Sequence, residues 1–170
     1  MALLEQSPPL DTHTLSDCIL FERKDRQQET TGLDLMNLVY LCHSWYLGIY
    51  GSPLIDEKVQ AWANGPGIPS VYNRFPALSN LPIRIDGWID PRTTVGLITN
   101  NQSALIHSVL DTYNNFDSWS LSAIAHRPGS PWDQIRIIYG IGEIIPNELI
   151  QEHYGRLYRA HNARKQKEPA

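Results

Sequence analysis

The sequence predicts a mostly α (α+β) fold: a compact multi-helix domain carrying one or two short β-strands or a small hairpin. Three observations predict it. Apolar residues recur at helical spacing along several stretches, the longest running from Leu35 to Ile49. Glycine and proline punctuate the gaps between those stretches, so the helices end sharply. The two candidate strands, Leu81–Ile85 and Val95–Ile98, are short and bracketed by Pro76, Pro82 and Pro91, which keeps any sheet small.

Each element follows from local residues. Residues 1–11 hold Pro8-Pro9 and little periodicity, and read as a flexible lead-in. Thr12 or Thr14 caps a helix running to about Lys24, with Leu15, Cys18, Ile19 and Glu22 on one face. The polar run from Lys24 to Thr31 ends it before Gly32. In the core helix, Leu35, Leu38, Val39, Cys42, Trp45, Tyr46 and Ile49 form one stripe. Tyr40, Leu41 and Leu47 widen it, so this helix is expected to be buried on more than one side. Gly51 and Pro53 stop it. A short extended piece leads to Asn64-Gly65-Pro66-Gly67, which demands a sharp turn, and Pro69 suits the first turn of a new helix. Asn100 or Asn101 caps a helix to about Phe116 through Leu105, Val109 and Tyr113. Ser118 starts a shorter helix that ends at Arg127-Pro128-Gly129. Pro146 opens the last helix, with Glu148 in its electropositive first turn. Residues 158–170 form a polar, basic tail, read as a solvated helix end, so the globular domain is drawn over residues 12–157.

Composition narrows the function classes. A chain of 170 residues suits one domain with a real core. Fourteen Lys and Arg against eighteen Asp and Glu give a net charge of −4, which makes a nucleic-acid partner unfavourable. Cys18 and Cys42 lack metal-type spacing and fall on apolar helical faces, as reduced core cysteines do. No basic segment followed by an apolar run opens the chain, and no run approaches the ~20 apolar residues of a membrane span. The expected location is cytoplasmic, with no membrane partner.

Candidate chemistry is thin. The six histidines form no HExxH or HxH pair. Cys42 and His43 are neighbours, but successive helical residues point about 100° apart and cannot form a nucleophile–base pair. Asp56-Glu57 are adjacent acids in a turn, and no glycine-rich loop resembles a phosphate cradle. No catalytic residue, metal ligand or cofactor is therefore assigned. The aromatic residues are more telling. Trp62 lies just before the Gly65-Pro66 turn, and Trp132 directly follows Pro131. Tryptophan and tyrosine dominate protein-binding hot spots, and rigid mounting lowers the entropic cost of binding. The same residues serve equally as core anchors that lock turns. His126, at a helix end, suits bonding to terminal carbonyls, packing on Trp132, or a partner contact.

Two motif clusters carry a family resemblance. Gly51, Pro53, Leu54, Ala61, Trp62, Gly65, Pro66, Pro69, Val71 and Tyr72 follow the pattern "G-x-P-L" then "AW-x-x-GP-x-x-P-x-V-Y". Leu121, Ser122, His126, Pro131 and Trp132 follow "LS-x-x-x-H-x-x-x-x-PW", and the final helix reaches a tyrosine comparable to Tyr154. In this order they resemble the Panacea (SocA-like) antitoxin domain, from about Leu15 to Tyr154. The chain departs from the family pattern at Asp34 and Asn37, where lysines are usual. The resemblance implies a non-enzymatic antitoxin that binds and blocks a co-encoded toxin, without a cofactor. It implies a partner-binding surface at Trp62, Gly65, Pro66, Tyr72, His126 and Trp132. The alternatives are an adaptor that delivers a bound toxin to an ATP-dependent protease, and a phage-associated regulator or unrecognised enzyme of the same fold. A homo-oligomer is compatible with all of them.

Overall fold

The centre of the protein is one apolar helix, and the other elements are arranged around it. The computed structural model describes residues 6–75 and 80–168. Helix α1 spans Thr12–Asp25 and α2, the central helix, spans Gly32–Tyr50. Three strands follow or return later: β1 Val59–Trp62, β2 Gly65–Gly67 and β3 Ile144–Ile145. The remaining helices are α3 Pro69–Arg74, α4 Asn100–Thr112, α5 Ser118–Ala125, α6 Pro131–Tyr139 and α7 Asn147–Lys165. The described residues thus hold seven α-helices, a 3₁₀ turn at Pro91–Thr93 and a three-stranded antiparallel sheet of order β2-β1-β3. The mostly α class with a small hairpin is what the sequence predicts.

Helix α2 is buried on several faces, as its wide apolar surface requires. Leu35, Leu38, Val39, Leu41 and Cys42 have no accessible surface. Helices α1, α3, α4, α5 and α7 all pack against it, α7 most extensively. Thr31 and Asp34 close its N-terminus as a reciprocal capping box, and Gly51 ends it in the left-handed conformation at φ 71°. The caps elsewhere sit one residue or more upstream of those predicted. Asp11 caps α1, in place of Thr12 or Thr14, and Thr99 caps α4, in place of Asn100 or Asn101. In both cases the capping side chain must belong to an extended residue outside the helix.

The strands lie elsewhere than predicted. Residues 81–85 and 95–98 form no strand. Ile83 N–H reaches the Thr30 carbonyl at 2.8 Å, and Val95 is fully exposed. Pro82 removes a donor, and among the described residues no neighbouring strand offers a ladder to either segment. The hairpin forms instead from β1 and β2, with Trp62 opposite Gly65 across a two-residue turn. The chain returns to complete it: Gly142 N–H donates to the Ala61 carbonyl and Ala61 N–H to the Glu143 carbonyl, both at 2.7 Å. Helix α6 goes unpredicted in the sequence reading. Its signal is Ser130 as N-cap, accepting from Asp133 N–H, with Pro131 in the first turn.

The described part of the lead-in is tied to the domain. Leu10 N–H donates to the Leu54 carbonyl at 2.7 Å, and Gln102 donates to the Pro8 carbonyl at 2.8 Å. Helix α7 continues through residue 158 to Lys165 without a break. The rest of the lead-in, residues 1–5, lies outside the described residues, as do residues 169–170 of the tail and Pro76.

Candidate functional site

The β1–β2 turn is the best-supported surface feature, and each of its residues has a local reason. Gly65 sits at φ 132°, where side-chain-bearing residues are strained, and a Cβ there would collide with the His126 ring. Gly67 lacks a Cβ because the Trp62 indole lies directly over it. Trp62 Nε1–H donates to Gln60 Oε1 at 2.7 Å, and the indole meets Tyr72 edge-on at 5.3 Å between ring centroids. The turn is thus fixed by shape and not only by chain propensity.

His126 and Trp132 hold this turn from behind. His126 follows the last residue of α5, and its Nε2–H donates to the Asn64 carbonyl. Its ring packs on Trp132 at 4.8 Å, and Trp132 Nε1–H donates to the Trp62 carbonyl at 2.8 Å. Arg136 lies over the Trp132 ring at 4.8 Å. Trp132 is only 7% exposed, so its ring is an anchor for the hairpin and offers almost no surface.

The six residues singled out in the sequence therefore form one cluster with two roles. Trp62, Gly65, Pro66 and Tyr72 line an open groove of about 470 Å³, whereas His126 and Trp132 brace its wall. Leu33, Met36 and Asn37 of α2 supply the opposite wall and were missed by the sequence reading. Their helical stripe resembles an ordinary core face, and only the position of the hairpin leaves them beside an opening. Asn37 Nδ2 donates to Ser122 Oγ at 3.0 Å. Asp34, the other departure from the family pattern, is buried and bonded to Thr31 and Ser118.

A second surface was also missed. Ile137, Ile138, Tyr139 and Ile141, at and just beyond the end of α6, are each about two-thirds exposed, with Ile144 of β3 beside them in the chain. The signal was legible as the run Ile135 to Ile145, which has too few polar residues for a solvated turn.

The residues considered for catalysis have structural partners. His43 is fully buried. Its Nε2–H donates to Asn147 Oδ1 at 3.1 Å while Nδ1 accepts from Ile55 N–H at 3.4 Å, so the ring is held as one neutral tautomer. Burial pushes its pKa down to about 4. Burial also raises both thiols, Cys18 to about 12 and Cys42 further, so neither is a thiolate at neutral pH. Glu57 accepts from Thr12 Oγ1 and from Ser70 N–H and Oγ, all at 2.9 Å, and so ties α1 to α3. Among the described residues, no group of three or more His, Cys, Asp or Glu could hold a metal ion.

His43 yields a pH signature. The fold disfavours the imidazolium, so the stability is fully present above the unfolded pKa of 6.5 and declines as pH falls toward 4. At pH 5 the loss should reach about 2 kcal/mol relative to pH 7. Urea denaturation of the wild type and His43→Gln between pH 7 and 4 checks this. A difference profile that stays flat would show that His43 is not the titrating group.

None of the described helices is long and apolar enough to cross a membrane. Comparison with known proteins gives two matches. Residues 35–133 match the family described as "Antitoxin SocA-like, Panacea domain", a span that contains all six candidate residues. Over 166 residues the chain is 28% identical to "Antitoxin SocA" of Caulobacter vibrioides (strain NA1000 / CB15N), covering 91% of this chain and 88% of that protein. No solved structure matches.

Proposed function

The chain belongs to the SocA-like Panacea domain family of antitoxins, and on that premise we propose that it neutralises a co-encoded toxin by binding it directly. The groove between the β1–β2 turn and α2 is the contact surface in this reading. The observation that carries it is the braced hairpin: Trp62 stands at an opening over Gly67, bonded to Gln60 and Trp132, with Tyr72 edge-on against it and His126 bonded to the Asn64 carbonyl of the same turn. Large aromatic surface held in place before binding loses little entropy on association. The mechanism is occlusion, in which the rigid wall covers or distorts the toxin's active region without chemical turnover. The domain that does this spans residues 12–157, and the protein works in the cytoplasm.

The experiment is co-expression with the product of the adjacent gene. Expressed alone, the neighbour should stop growth. Together with this protein, growth should resume and the two should elute as one complex. Restored growth with no complex and a falling level of the neighbour would replace direct binding with delivery to an ATP-dependent protease. A harmless neighbour would remove the antitoxin reading for this chain.

A further inference from the structure

We propose that the chain forms a two-fold dimer, in which the outer edge of β3 pairs with β3 of a second copy and the end of α6 packs on its counterpart. The dimer does not depend on the antitoxin reading.

Backbone geometry supplies the first half of the match. β3 forms one edge of the sheet. Gln60 stands opposite Ile144, and the next bond along the ladder runs from Ala61 N–H to the Glu143 carbonyl. Bonded and unbonded pairs alternate along an antiparallel ladder, so Ile144 turns its own N–H and carbonyl away from β1. Among the described residues, neither group has a partner. Ile144 is 44% exposed, so this edge is open to a second chain. An unpaired donor and acceptor on a sheet edge are a template for another strand. A two-fold axis through an antiparallel pair sets a residue opposite itself. The Ile144 N–H of each copy then meets the Ile144 carbonyl of the other, and one surface satisfies both.

The side chains supply the second half. Ile137, Ile138, Tyr139 and Ile141 are each about two-thirds exposed, and α6 packs against β3. With Ile144 they present roughly 550 Å², the upper end of the apolar patch that a monomer leaves uncovered. Two copies bury about twice that, roughly 1,100 Å², which passes the ~1,000 Å² that a specific interface needs. Residues 137–142 carry no charge, and the flanking Arg136 and Glu143 have opposite signs. Two such patches therefore meet without a like-charge penalty. The net charge of −4 opposes association only at long range, where salt screens it beyond about 8 Å.

The area lies near the lower bound for stable interfaces, so the dimer should be of modest affinity and depend on concentration. It leaves the candidate groove open, because β2 lies at the opposite edge of the sheet.

The test is sedimentation equilibrium of the full-length protein from sub-micromolar to sub-millimolar concentration, with amide exchange at Ile144 followed by NMR. The mass should rise to that of two chains, and exchange of the Ile144 N–H should slow in step. Ile138→Asp and Ile141→Asp should each weaken the dimer about a hundredfold, because each then presses a carboxylate against apolar surface. Both side chains are exposed, so the variants should keep the fold, which an unchanged urea midpoint checks. Val95→Asp, at a fully exposed site outside the patch, should leave the dimer unchanged. A monomer at every concentration overturns the proposal. So does a dimer that survives both substitutions, or one that leaves Ile144 exchange unchanged. A monomer whose Ile141→Asp variant no longer elutes with a toxic neighbour overturns it too, and assigns the patch to that partner.

Discussion

Trp132→Ala should destabilise the protein by about 3–5 kcal/mol, the range for deleting a buried large aromatic side chain. The ring is buried between His126 and Arg136, and its N–H satisfies the Trp62 carbonyl at the mouth of the hairpin. Removal leaves a cavity and an unpaired carbonyl together. The damage should be local as well as global: amide exchange at Ala63 to Gly65 should speed up more than in α2. Trp132→Phe separates the two causes, because it keeps most of the ring and loses only the donor, at about 1 kcal/mol. Chemical denaturation of the three proteins decides the matter. A loss below about 1 kcal/mol in Trp132→Ala would mean that the hairpin holds itself, and the bracing role would be abandoned.

Gly48→Val should cost about 3 kcal/mol or more, the upper end of what overpacking causes. Helices α2 and α7 approach so closely at this point that a Cβ on Gly48 would lie 2.6 Å from the Tyr154 carbonyl carbon and 2.7 Å from the Gly155 nitrogen. Both atoms are backbone and cannot swing aside, so α7 would have to move. Gly155→Ala provides the contrast. Its Cβ would meet the flexible Arg159 guanidinium at 3.2 Å and the Gly48 carbonyl oxygen at 3.3 Å, so the cost should stay near 1 kcal/mol. The midpoint of urea unfolding measures both. Equal effects in the two variants would show that the asymmetric approach does not govern this interface.

Both predictions come from contacts between distant parts of the chain, and that marks where sequence reading stops. The α2 stripe was legible because 3.6-residue periodicity is a local property, and so was its end at Gly51. The sharp turn at Asn64 to Gly67 was legible because Gly65 tolerates a φ that other residues resist. Strands were placed wrongly at 81–85 and 95–98 because β-propensity means little without a partner strand. The strand pairs that form, Val59 with Ile145 and Gln60 with Ile144, join residues more than eighty positions apart. Helix α6 is announced only by Ser130 and Pro131, because its 9 residues are too few to establish a helical stripe.

The candidate site divides in the same way. Trp62, Gly65, Pro66, Tyr72, His126 and Trp132 could be named from two motif clusters in the sequence. Their division into groove and brace could not. The sequence by itself determined the helical class, the central helix, the rigid turn and the family, because each rests on local spacing or on a motif in order. Tertiary structure alone decided that Trp132 faces inward, that Asn37 lies beside an opening, and that His43 is a neutral buried ring. Those outcomes depend on which distant surfaces meet, and burial, desolvation and hydrogen-bond pairing are set only when they do.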